Sequence, residues 1–152
     1  MNPVLLGVTE TSLPPDNCMI IVVGVRYDEM IKVDFRNRRM CYGGLDMLYL
    51  MSETEFLHDS HVRLEAWTSE PPPTKGWEEE EHTRIRLTEG RMYVSGMMEF
   101  AASPEIPTGA PGHYHVQVYA SGRHEARRLA FDPEVEEIPP DVERFLVRVW
   151  PE

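Results

Sequence analysis

The stretch His113-Tyr-His-Val-Gln-Val-Tyr-Ala120 alternates strictly between apolar and polar residues. An alternation of period two places successive side chains on opposite faces of a strand, and it cannot form the single apolar stripe that a helix needs. Tyr114, Val116 and Val118 fall on one face, and His113, His115, Gln117 and Tyr119 on the other. The same period recurs in 61–67, where Val62, Leu64 and Ala66 alternate with Arg63 and Glu65. It recurs again in 83–88, with Ile85 and Leu87, and in 144–150, with Phe145, Val147 and Val149. Further strands are expected at 4–9, 18–27, 30–36, 48–51 and 91–98. Thirteen prolines and ten glycines fall largely between these runs. Proline cannot donate to a sheet ladder, so it collects in connections.

This pattern predicts an all-β chain: a two-layer antiparallel β-sandwich of about seven to nine strands, with at most one or two short helices. The whole of 1–152 is expected to be one domain, because 152 residues suffice for one core. The expected core is Ile21, Val23, Val62, Leu64, Ile85, Leu87, Val94, Tyr114, Val116, Val118, Phe145 and Val147. Residues 53–59 form a candidate short helix, with Ser52 as N-cap and Glu55 completing a capping box. A second helical candidate at 133–144 carries two prolines and reads better as a loop. Residues 112–120 and 123–131 are expected to form a hairpin turning at Ser121-Gly122, with Gly122 at positive φ.

Composition narrows the function. Fifteen basic against twenty-six acidic residues give a formal charge of −11. That charge disfavours nucleic acid and anionic membranes, and it favours basic protein partners. The longest apolar run, 18–25, has eight residues, far short of the ~20 of a spanning helix. No basic leader precedes the apolar start, and Cys18 and Cys41 form no CxxC pair, so a cytoplasmic chain with two free thiols is expected. No cofactor motif is present, and neither cysteine has an adjacent histidine or helix start to activate it.

Two stretches stand out as candidate sites. Trp77 precedes four consecutive glutamates, Glu78, Glu79, Glu80 and Glu81. They read either as a charged strand entry that blocks edge pairing or as an acidic knob beside an aromatic anchor. Glu134, Glu136, Glu137, Asp141 and Glu143 form a second acidic stretch. The His113/His115 pair has the spacing of two zinc ligands on a strand. In the expected hairpin, however, Arg127 or Arg128 would stand opposite His115, and a fixed cation opposes a metal. No metal is therefore expected, and His115, Gln117 and Tyr119 read as a polar contact face.

The segment from 82 to 152 resembles the nuclease-inhibitor family of bacterial competence, competence protein J, and related immunity-type proteins. The resemblance lies in a strand at "GRMYVSGMM", a proline-bearing linker, Ile106, Pro107, Gly112, Tyr114 and Val116, and a final "ERFLVRVWPE". Gly112 is displaced from the family's phrase by an inserted "TGAP". The resemblance implies a non-enzymatic acidic protein that binds and blocks a basic nuclease. Three readings follow: an inhibitor or immunity module for a basic nuclease or toxin; a small-ligand or carbohydrate-binding sandwich using Tyr119, Gln117, His115 and a tryptophan platform; and a module that forms a homodimer through a sheet edge.

Overall fold

A computed structural model describes residues 2–25, 30–55, 58–96 and 101–152. Ten strands and one α-helix are assigned among them: β1 (Leu5–Leu13), β2 (Met19–Val23), β3 (Cys41–Gly44), β4 (Met47–Met51), β5 (Ser60–Trp67), β6 (Glu79–Leu87), β7 (Arg91–Ser95), β8 (Ile106–Pro107), β9 (Gly112–Ser121), α1 (Arg123–Ala130) and β10 (Arg144–Pro151). They form two five-stranded sheets. Sheet A has the order β1-β5-β10-β9-β6, and sheet B the order β3-β4-β2-β7-β8. All pairings are antiparallel except β5 with β10, which run parallel. The chain is thus an all-β, mostly antiparallel two-sheet structure.

The twelve expected core residues are all buried. They divide between two clusters. The layer between the sheets holds Ile20, Val22, Leu48, Leu50, Val62, Leu64, Ile85, Val116, Val118, Phe145 and Val147, among others. Ile21 and Val23 lie on the opposite face of β2 with Met19, Tyr42, Met47 and Tyr49, where Ile31 and Val33 pack over them. The continuous apolar run of β2 records burial on both faces. The sheets also touch at their edges. β3 lies so close to β6 that a Cβ on Gly43 would stand 2.0 Å from the Arg84 carbonyl oxygen, so only glycine fits there. The Asp46 amide donates to the Arg86 carbonyl across the same seam.

Several expectations are corrected. The hairpin 112–120/123–131 does not form, because 123–130 is helix α1. Gly122 does have positive φ (+76°), but it precedes a helix instead of turning a hairpin, and a Cβ there would clash with the Val142 carbonyl oxygen. The sequence Arg-His-Glu-Ala-Arg-Arg-Leu-Ala holds strong helix formers and no β-branched residue. The expected strand at 30–36 is replaced by irregular chain at 30–34 and a 3-10 turn at Phe35–Asn37. Residues 53–55 and 58–59 are not helical, while 56–57 of that candidate lie outside the described residues. So do 26–27 and 97–98, the ends of two expected strands. Ser52 does accept the Thr54 amide, as a capping serine would, but the turn does not continue. Residues 132–143 form turns without a helix.

Candidate functional site

The period-two alternation gives sheet A an outer face, and register fixes which groups meet there. Glu80, His82 and Arg84 of β6 stand opposite Tyr119, Gln117 and His115 of β9. Leu146, Arg148 and Trp150 of β10 stand opposite the same three residues from the other side. His115 therefore lies between Arg84 and Trp150, whose ring centroid is 5.5 Å away, and not opposite Arg127 or Arg128. Among the described residues no group of three or more His, Cys, Asp or Glu side chains is placed to hold a metal ion.

This face is not the half-exposed polar surface that alternation predicts. Gln117, Tyr119, Glu65, Arg148 and Trp150 are all buried. The cover is the proline-rich segment before β6. Arg148 Nη2 donates to the Pro72 carbonyl at 2.9 Å, and the Trp77 ring lies 6.1 Å from that of Tyr119. The Arg144 guanidinium sits 5.8 Å from the Trp77 ring and that of Arg148 5.4 Å from Trp67. Beneath the cover a ladder of charged groups crosses all five strands. Glu10 meets Arg63 at 3.3 Å, Arg63 meets Glu65 at 2.7 Å, and Glu65 meets Arg148 at 3.5 Å. Arg148 reaches Gln117 at 3.5 Å, whose amide donates to Glu80 at 3.0 Å. Buried charges require such partners.

The four glutamates separate. Glu78 accepts the Gly122 amide at 2.6 Å. Glu79 pairs with the nearly buried Arg123 at 2.8 Å. Glu80 points to the outer face, toward Gln117 and His82. Glu81 turns to the seam between the sheets, where it accepts the Met40 and Cys41 amides at 2.8 and 2.9 Å. Only Glu78 and Glu80 are exposed. Trp77, Glu80, Gln117, Tyr119 and His115 come together on one face, while Glu79 and Glu81 are spent inside.

The two acidic stretches meet at one point, Gly122. Glu78 holds Gly122, Gly122 packs on Val142, and Arg144 stacks on Trp77. Glu134, Glu136, Glu137 and Asp141 are exposed in the loop leading there, and Phe131, just before it, is 76% exposed. Glu143 behaves differently. It is fully buried, accepting the Ser52 and Ser60 hydroxyls at 2.5 and 2.6 Å and the Glu53 amide at 2.9 Å. Thr54 and His58 adjoin it, with 2.9 Å between Thr54 Oγ1 and His58 Nδ1. Burial holds the His58 imidazole below its ordinary pKa, the nearby carboxylates opposing only in part. This knot ties β4, β5 and β10 and has no exposed member that could reach a substrate. Sequence reasoning missed it, because Ser52, Ser60 and Glu143 are far apart in the chain and nothing local marks them.

Both cysteines are free thiols. Burial, with the Glu81 carboxylate adding to it, pushes Cys41 up to about 12. Burial and then Glu55 raise Cys18. Neither is held as the thiolate that nucleophilic chemistry requires. No helix among the described residues is long and apolar enough to cross a membrane.

No protein-family model and no curated protein sequence matches this chain. Two solved structures share its fold over its full length. One is titled "Crocagin biosynthetic gene J", with a TM-score of 0.60, 20% identity, and coverage of 100% of this chain and 99% of that one. The other is ComJ of Bacillus subtilis, an inhibitor of the DNA-degrading activity of NucA, with a TM-score of 0.58, 9% identity and complete coverage of both chains. The resemblance to the competence nuclease inhibitor is therefore one of fold, carried by the whole two-sheet architecture.

Proposed function

We propose that this chain is a non-enzymatic binding protein of the inhibitor or immunity type, whose acidic end engages a basic nuclease or toxin. The observation that carries the reading is the meeting at Gly122 of the strand entry that bears the exposed Glu78 and Glu80 with the loop that bears the exposed Glu134, Glu136, Glu137 and Asp141. Carboxylates gathered on one end steer a basic partner and fix its orientation. Trp77, stacked on Arg144 beside Tyr119, supplies an aromatic anchor of the kind that dominates interfaces. The shared fold with ComJ supports the class of partner. The raised thiols and the closed Glu143 knot support a role without catalysis.

The test is affinity capture from the source cell on the immobilised chain, at low and at high salt. A basic nuclease or toxin should be retained at low salt and released at high salt, and the chain should suppress its activity. The triple change Glu134→Lys, Glu136→Lys and Glu137→Lys should abolish retention. If no basic protein is held at low salt, or if the triple variant holds the same protein equally well, the reading fails.

A further inference from the structure

Arg123, paired with Glu79, also lines a cleft of about 390 Å³ that includes none of the acidic-end carboxylates. Four guanidinium groups line it, those of Arg38, Arg39, Arg123 and Arg127, together with the Phe35 and Tyr42 rings and the carboxylate of Glu53. In a chain with a formal charge of −11, four arginines around one cleft oppose the overall balance.

The arginines differ in how firmly they are engaged. Arg123 is held by Glu79 at 2.8 Å and by the Met51 carbonyl. Arg39 is held by the His82 carbonyl at 2.6 Å, with Glu81 at 3.7 Å. Neither carboxylate lines the cleft, and Glu81 is fixed by the Met40 and Cys41 amides. Among the described residues the Arg127 guanidinium has only Glu53 at 3.5 Å and the Phe131 ring, over which it sits at 5.8 Å from the centroid. The Arg38 amide donates to the Phe35 carbonyl at 3.1 Å, but its guanidinium has no hydrogen bond or ion pair among the described residues, and its backbone is left-handed (φ +51°). Asparagine or glycine would adopt that conformation more readily, and strain of this kind gathers at functional positions. Glu53 spans Arg123 and Arg127 at 3.5 Å each, longer than a charge-assisted bond prefers. Its carboxylate stands where an entering anion would sit.

The geometry points to a binding site for a small phosphate monoester carried on a flat ring, with Glu53 as the placeholder it displaces. With Glu53 moved aside, the four guanidinium groups are offset by two carboxylates outside the cleft, Glu79 and Glu81, which leaves two positive charges for a dianion. A phosphate offers three oxygens, enough to meet Arg38, Arg127 and Arg39 together, whereas a carboxylate is satisfied by one guanidinium fork. Phe35 is 49% exposed and packs edge-on to the buried Tyr42 at 5.5 Å, leaving a ring surface for the ligand's own ring. The volume lies within the range of small-molecule sites.

Calorimetric titration with phenyl phosphate, inorganic phosphate and benzoate tests the chemistry. Phenyl phosphate should bind one to one, about tenfold tighter than either of the others. Adenosine monophosphate and free phosphotyrosine carry the same chemistry from two sources, and the tighter of the two names the source. Arg38→Ala and Arg127→Ala should each weaken phenyl phosphate about tenfold, the loss of one charge-assisted contact. Both side chains are exposed, and an unchanged circular-dichroism spectrum would show that the fold is intact. Glu53→Gln should tighten binding severalfold, a direction that general damage to the fold would not produce. The proposal is overturned by the absence of saturable binding in both the parent and Glu53→Gln, by benzoate binding as well as phenyl phosphate, or by weaker binding in Glu53→Gln.

Discussion

The outer faces of the two sheets solve one problem in opposite ways. Sheet B turns Met19, Ile21, Val23, Tyr42, Met47 and Tyr49 outward and covers them with Ile31 and Val33. The Tyr49 hydroxyl accepts the Ile31 amide at 3.0 Å and fastens the cover. Sheet A turns Glu10, Arg63, Glu65, Arg148 and Gln117 outward and covers its middle with a proline-rich strap and Trp77. The first face is stabilised by removing apolar surface from water. The second is held by pairing charges whose desolvation offsets much of their attraction. Burial alone therefore does not show what a residue contributes, and each face should respond to its own kind of change.

The largest effect is expected from breaking the charged face by halves. Arg148→Ala takes from Glu65 its most buried cation, leaving it Arg63 and the Trp67 indole, and should cost about 3 kcal/mol in urea unfolding. The double change Arg148→Met with Glu65→Met should restore part of this, because the pair's single 3.5 Å contact is loose, both desolvation costs disappear, and Arg63 keeps Glu10. On the apolar face, Ile21→Ala should cost about 3 kcal/mol, and no second change should restore it, since a cavity has no partner to remove. A double variant no more stable than Arg148→Ala alone would erase the contrast.

Intermediate effects are expected at the knot and the strap. Glu143→Gln should cost about 2 kcal/mol, because the hydroxyls of Ser52 and Ser60 lose a charged acceptor. Trp77→Ala should cost about 1 kcal/mol, read as lower resistance to urea.

The smallest effect is a pH dependence. His58 is held below its ordinary value of 6.5, so between that value and its depressed folded one the unfolded chain binds the extra proton. Stability from this group is complete above 6.5 and is lost as pH falls through the folded value. His58→Gln should flatten the unfolding free energy over that acidic window. A slope unchanged by the substitution would remove His58 from the account.

What could be read in advance follows the same division. The alternation in 61–67, 83–88, 113–120 and 144–150 showed both the strands and their inner faces, because hydrophobic periodicity is a local property. The fate of the outer faces was not legible. Nothing in "HYHVQVYA" shows that a strap some forty residues earlier will bury Gln117 and Tyr119. Helix α1 carried a usable signal, Glu125 three residues before Arg128 in a run of helix formers, but Ser121-Gly122 resembled a hairpin turn more strongly. The arginine cleft gathers 35–42, 53 and 123–127, and no spacing rule joins such distant pieces.

The place of β10 has a kinetic consequence. Residues 144–151 lie between β5 and β9, running parallel to one and antiparallel to the other. Phe145 pairs with Val62, some eighty residues away. β5 and β9 share no bonds of their own, so β1 with β5 and β9 with β6 can form only as two separate hairpin-like pieces before β10 arrives. Loop closure over such a span is entropically costly, and topologies dominated by distant contacts fold slowly. Until β10 inserts, both pieces present an open edge, which makes its arrival the step at which this chain either folds or aggregates.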